Sequence, residues 1–282
     1  MKFLLLLLFF VPLLHAEGIS VQLLNDLVYD TDEQRTGGFK ILYQDNENWS
    51  FHLAQDTYTP KEKSTLTPPV GDRPYNAWLF GGITYQYDIE DIDTLLSARF
   101  DVGTVGPRAL GEDIQNGIHK MVGAVDVQGW DSQTEDRYGN NFTFTLETSL
   151  VEIFIDSRKE LTHLSAYVSA EAGTIWRSST VGISMAFGYN TPYYNTLINF
   201  PEDKTFYVFG NIQITNVEKN GLLEENSNYN VLKENFIERY DVGINWDIDN
   251  FRLRLTATTM SKEFTTQLEG HRFAILELTF GF

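Results

Sequence analysis

The chain has 282 residues, a formal charge of −18 at neutral pH and no cysteine. These values exclude disulfides, thiolate zinc sites and cysteine nucleophiles, and they argue against nucleic acid as a partner, because a polyanion needs a basic surface. The length suits one large domain or two small ones.

The first sixteen residues read as a secretory signal. Lys2 precedes an apolar stretch from Leu4 to Leu14, broken by Pro12, and His15-Ala16 stands before the charged Glu17. The stretch is too short to cross a bilayer as a helix, so cleavage is expected after Ala16, with residues 17–282 as the exported domain. From there on the chain alternates. At the far end Arg272, Ala274, Leu276, Leu278 and Phe280 fall on one side, with Phe273, Ile275, Glu277 and Thr279 on the other. Tyr240, Val242, Ile244 and Trp246 alternate in the same way with Asp241, Gly243, Asn245 and Asp247. Period two means strands.

The pattern predicts strands near 18–27, 37–44, 49–58, 77–87, 94–103, 141–155, 162–174, 179–188, 205–217, 238–247, 251–261 and 270–282. Charge on the second face is costly in a dry sandwich core, whereas a wet barrel lumen accepts it while the aliphatic face meets lipid. The expected class is therefore all-β, a transmembrane antiparallel β-barrel of about twelve strands in the outer membrane of a Gram-negative bacterium. With both termini at the periplasm, the long connections 28–36, 59–76, 104–140, 218–237 and 262–269 face outside. The turns at 45–48, 88–93, 156–161 and 248–250 are short and face inside. The connection 189–204, carrying Pro192 and Pro201, is too long for this rule.

Unusual polar residues collect on the outer rim of the first strands. Asn25-Asp26 interrupts an aliphatic first strand, Arg35-Thr36-Gly37-Gly38 opens the second, and Gln55 to Pro60 ends the third. Gly71-Asp72-Arg73-Pro74-Tyr75 precedes the fourth and Asp101-Val102-Gly103 closes the fifth. The third outer loop holds the one good helix candidate, 108–122, entered through Gly106-Pro107. Glu112, Gln115 and His119 share a face, while Leu110, Ile114, Ile118, Met121 and Val122 offer apolar contacts to the barrel wall. His119 is the best candidate base, since neutral imidazole accepts a proton near neutral pH. Asp26 suits a metal or the orientation of a histidine, and Asn25 offers an amide donor and acceptor. Asp30, Asp32 and Glu33 resemble a fragment of a calcium loop without the EF-hand order. Lys61, Lys63, Arg73, Arg108 and Lys120 put positive charge on the rim of an acidic protein, where a lipid phosphate would meet it. No G-x-S-x-G elbow, zinc helix or phosphate-binding glycine loop occurs.

These stretches in this order resemble the lipid A 3'-O-deacylase family of outer-membrane enzymes. The match runs through Asn25-Asp26, His52 to Pro60, Gly71 to Tyr75, Asp101 to Pro107, Gly111 to Asn116 leading to His119, and Gly129-Trp130 to Arg137-Tyr138. The terminal Phe282 also resembles the closing aromatic of outer-membrane barrels. The resemblance implies a calcium-dependent site between the outer wall and a loop helix, and hydrolysis of the 3'-O-linked acyloxyacyl ester of lipid A, the lipid part of lipopolysaccharide. It implies His119 as the water-activating base, Asp26 as an essential acid near Ca2+, Asn25 as an essential amide and Thr36 as a polar partner. A family lysine falls at Lys61 or Lys63 in a shorter loop. A second family calcium contact falls one residue away, at Asp126. Two other readings stand beside this one: a noncatalytic barrel, either channel or lipid binder, and a serine lipase with Ser132 as its nearest candidate.

Overall fold

The computed structural model describes residues 16–26, 34–45, 48–62, 66–123, 126–156, 159–189, 191–196, 204–224 and 231–282. The apolar part of the expected signal, Asp30, Asp32, Glu33 and Lys63 lie outside the described residues. The strands are β1 (Ala16–Asn25), β2 (Gln34–Asp45), β3 (Trp49–Thr59), β4 (Asn76–Ile89), β5 (Thr94–Val105) and β6 (Arg137–Asp156). They continue as β7 (Lys159–Gly173), β8 (Trp176–Tyr189), β9 (Thr205–Asn220), β10 (Phe236–Ile248), β11 (Phe251–Met260) and β12 (His271–Gly281). Each pairs with its neighbours in sequence, and β1 pairs antiparallel with β12, for example Val21 with Leu278, so the sheet closes without an edge.

The alternation read in the sequence is the division between lipid and lumen. On β8 Val181, Ile183, Met185 and Phe187 are all more than half exposed on the outside, while Ser184 and Ala186 between them are buried. Inside, charges are paired: Arg252 Nε lies 2.7 Å from Asp247 Oδ1, Arg239 Nε lies 2.9 Å from Asp241 Oδ1, and His52 Nε2 lies 2.9 Å from Asp101 Oδ1. Burying such groups is tolerable because each has a partner of opposite charge or a hydrogen bond.

Two features stop the lumen. At the outer end an apolar cluster of Tyr58, Trp78, Phe80, Val105, Ile175 and Leu222 joins strand ends to outer loops, with Trp78 stacked on Phe80 at 4.0 Å. At the inner end residues 191–196, part of the connection between β8 and β9 whose length the sequence left unexplained, enter the barrel. Glu147 on β6, fully buried, accepts hydrogen bonds from Tyr194 N (2.9 Å), Asn195 N (2.9 Å) and Asn195 Nδ2 (2.8 Å). Tyr194 Oη donates to Asp241 Oδ2 on β10 at 2.7 Å, and Gln86 Nε2 on β4 donates to Asn195 O at 2.7 Å. Tyr194 and Asn195 thus reach β4, β6 and β10 across the lumen. Between the two stops lies a cavity of about 490 Å³ lined by Lys40, Asp56, Arg99, Glu171, Arg254 and Glu277.

The outer loops are tied to one another. Arg73 is fully buried, with Nη1 3.0 Å from Glu263 Oε2 and its guanidinium 4.3 Å from the centre of the Tyr58 ring. Burial pushes the Glu263 carboxyl up, but the neighbouring Arg73, with His271 and Arg35, outweighs it and holds the group below the ordinary carboxylate value. Thr266 Oγ1 also donates to Gly71 O.

Candidate functional site on the outer wall

Outward-pointing residues of β3 show where the wall is covered. Trp49, Phe51 and Leu53 are 38 to 40% exposed, as lipid-facing residues should be, yet Gln55, Thr57 and Thr59 on the same face are 4% exposed or less. Over Gln55 the cover is the third outer loop. It leaves β5 through a 3₁₀ turn (Pro107–Ala109), passes Leu110 in the left-handed region (φ 59°), and forms α1 (Gly111–Val122). Helix proper thus begins three residues later than the sequence suggested, because the turn and the left-handed residue fix its start.

α1 is seated on β3 and β4 by polar and close apolar contacts. Gln55 Nε2 donates to Ala109 O at 2.5 Å. Trp130 Nε1, from the return limb of the loop, donates to Gln115 Oε1 at 2.9 Å, and Trp130 packs in an apolar cluster with Tyr75, Ala77, Ala109 and Val127. Gly111 allows the approach: a Cβ there would lie 2.7 Å from Ala77 Cβ and 2.5 Å from Trp130 Cη2. The face turned to the wall is therefore Gly111, Gln115 and His119, the last two 7% exposed. Glu112, expected on this face, is exposed, and so are Leu110, Ile118 and Met121, expected to pack on the barrel. The helix thus buries Gln115 and His119 in place of its apolar residues.

Polar residues also gather at the outer ends of β1 to β3. The register between β2 and β3 shifts between Arg35 and Gly37, leaving Thr36 as the extra residue of a bulge. Bulges re-aim side chains. Arg35 turns into the lumen, with Nη2 2.6 Å from Asp56 Oδ1, while Thr36 Oγ1 donates to Thr57 O at 3.5 Å. Asn25, paired with Gly37, donates from Nδ2 to Thr36 O at 3.2 Å. Asp26, the next residue, is fully buried. The structure therefore joins Asn25, Thr36 and Thr57 in one polar patch and seats His119 on the wall-facing side of α1.

Other expected residues go elsewhere. Lys61 is exposed on the second outer loop, its backbone N–H bonded to Asp72 Oδ2 at 2.9 Å. The expectation that Arg73 meets a substrate phosphate gives way to its burial against Glu263 and Tyr58: it anchors the second loop. Asp126 is half exposed, with Oδ2 3.9 Å from Lys120 Nζ at the end of α1. Among the described residues no three His, Asp or Glu side chains gather to hold a metal. The buried Asp26 carboxylate, with the amide of its sequence neighbour Asn25 and the hydroxyl and carbonyl of Thr36, offers hard oxygen donors, a set that suits calcium better than a transition metal. Asp126, turned to Lys120, does not add to that set. The sequence reading missed Trp130 and Gly111 as the seat of α1, although Gly129-Trp130 and Gly111 stood among the quoted motifs.

A family profile described as "Outer membrane protein LpxR" matches residues 3–282. The chain belongs to the LpxR family. It is an outer-membrane protein. Among solved structures, LpxR from Salmonella typhimurium superposes with a TM-score of 0.83 at 22% identity, covering 94% of this chain and 100% of that one. The beta domain of the Bordetella autotransporter BrkA matches at a TM-score of 0.51 and 9% identity, covering 95% of this chain and 100% of that one. At these identities the likenesses carry the barrel fold alone. No curated protein matches the sequence. Membership of the LpxR family supports the class of outer-membrane lipid A deacylases, a hydrolase class.

Proposed function

We propose that the chain hydrolyses the 3'-O-linked acyloxyacyl ester of lipid A in the outer leaflet, in a calcium-dependent reaction without a covalent enzyme intermediate. The observation that carries this reading is the burial of His119 and Gln115 on the wall-facing side of α1, outside the barrel, where apolar side chains would otherwise belong. His119 takes the proton of a water molecule that attacks the ester carbonyl, and it returns that proton to the leaving alkoxide. Asn25 and Thr36 hold hydrogen bonds to the substrate or to the rim that shapes it, and Lys61 or Lys63 meets a phosphate of the headgroup. Asp26 would hold calcium with neighbouring oxygens, and the ion when bound supplies positive charge to the developing oxyanion. A site outside the barrel lets the lipid approach sideways while its acyl chains stay in the leaflet. The crossed lumen weighs against a channel, and Ser132 Oγ donates to Gly129 O at 2.6 Å.

The deciding experiment incubates purified protein with lipid A in detergent, with calcium or chelator, and reads the products by mass. Loss of one acyloxyacyl unit from the 3' position, suppressed by chelator and restored by calcium, is expected. His119→Gln and Asp26→Ala should each keep a folded barrel and lose about 10²–10⁴-fold in rate, the usual cost of removing a general acid-base group for the first. Unchanged lipid A with well-folded protein at every calcium concentration refutes the reading. Loss of a different chain refutes its regiochemistry.

A further inference from the structure

The exposed side of α1 has an order of its own. At about 100° per residue, the wall-facing row Gly111, Gln115 and His119 centres about 90° from the row Ile114, Ile118 and Met121. Leu110 extends the second row by one turn. The polar residues Glu112, Asp113, Asn116 and Lys120 centre about 150° from that apolar row. The return limb of the loop lies on their side: Asn116 Oδ1 accepts from Val127 N at 2.9 Å and Asn116 Nδ2 donates to Val127 O at 3.4 Å. Leu110, Ile118 and Met121 are left 45%, 38% and 80% exposed. A helix with one side on protein, one polar side and one bare apolar side is what an interfacial position requires.

Its height agrees. The start of the loop helix is tied to Gln55, which stands two residues, or about 7 Å along the strand, beyond the lipid-facing Leu53. Arg108, just ahead of α1, donates from Nη1 to Tyr138 Oη at 3.4 Å, and Tyr138 is 77% exposed on the outer end of β6. Exposed aromatics at strand ends form the girdle at the membrane interface. The apolar row therefore continues the belt of Phe51, Leu53, Phe100 and Val102, all 40% or more exposed.

We propose that α1 lies in the plane of the outer-leaflet interface with Leu110, Ile118 and Met121 among the acyl chains of the surrounding lipid. The lipid layer then completes the seat of the helix that carries His119, pressing it to the wall from below as Trp130 does from beside it. This docking does not rest on the deacylase reading, since it concerns the bulk leaflet whatever reaction occurs there.

The chain lacks cysteine, so one introduced thiol is a unique probe. Met121→Cys and, on the polar side, Lys120→Cys are each labelled with the same small environment-sensitive fluorophore and folded into phosphatidylcholine vesicles. The label at 121 should be blue-shifted, lose most of its emission to nitroxides carried on lipid acyl chains, and resist aqueous iodide. The label at 120 should show the reverse. Equal iodide access at both positions overturns the proposal. Protection of position 121 from both quenchers also overturns it, since protein, whether a second copy or another loop, would then cover the row. Ile118→Cys repeats the test at a less exposed site, and unshifted heat-modifiable migration in gels confirms that each variant is folded.

Discussion

Gly111→Ala tests whether the seat of α1 sets the chemistry. The added Cβ would stand 2.5 Å from Trp130 Cη2 and 2.7 Å from Ala77 Cβ, against a normal carbon contact of about 3.5 Å. Trp130 has little freedom to yield, being held through Nε1 by Gln115 and packed 5.3 Å from the Tyr75 ring, while Ala77 is part of the wall. The helix must retreat by about 1 Å, and a displacement of that size commonly costs about 10²-fold in rate. That corresponds to about 2.7 kcal/mol in the barrier. Helix propensity works in the opposite direction, favouring alanine by about 1 kcal/mol, so a loss would have to come from the contact. Gly117→Ala is the matched control, since its Cβ would meet nothing within 4 Å. The assay follows acyl release from lipid A by mass over time, with β content measured by circular dichroism. Normal activity in Gly111→Ala, or equal loss in both variants, refutes the reasoning.

Glu147→Ala removes the charged acceptor of two backbone amides in the lumen. At the lower end of about 1.5–3 kcal/mol for each such bond, fitting a wet site, amide exchange at Tyr194 and Asn195 should quicken by about 10²-fold; unchanged exchange would mean that the bonds to Asp241 and Gln86 hold the segment without Glu147. The Arg73–Glu263 pair should respond to acid. Because the folded carboxyl titrates below its ordinary 4.5, its contribution is complete above that value and disappears as pH falls through the lowered one. Proteolysis of the 261–270 loop should therefore rise only below about pH 4.5, and Glu263→Gln should abolish that pH dependence; a transition near neutrality would exclude this pair as its source. Epitope tags inserted near residue 65 or 125 should be reached by antibody on intact cells, and tags at 46 or 249 only after the outer membrane is opened. The reverse pattern would overturn the orientation.

Strands were legible because each residue's neighbour two positions away shares its solvent, a purely local property. Thus Tyr240 to Asp247 and Arg272 to Thr279 could be assigned in and out without knowing a single contact. The exceptions depend on distant partners. Arg73 read as a rim charge because Glu263 lies 190 residues away, and the connection 189–204 looked anomalous because its acceptor is on β6. For α1 the helix was legible in the sequence and its facing only in part. Periodicity alone offers Glu112, Gln115 and His119 or Gly111, Gln115 and His119 as a row, and only the close approach to Ala77 selects the glycine. Hydrophobicity then misled, since it assumes that apolar residues turn toward protein, and beside a bilayer they need not.

The two stops in the lumen bear on the permeability of the cell envelope. A barrel of this kind is a hole unless something fills it, and an enzyme that works on its outer flank gains nothing from the hole. Glu147 holds the Tyr194 segment across one end, and Trp78 and Phe80 pack in the other. On the proposed function, filling the lumen is what would let a cell raise the amount of this protein without adding pores to its outer membrane.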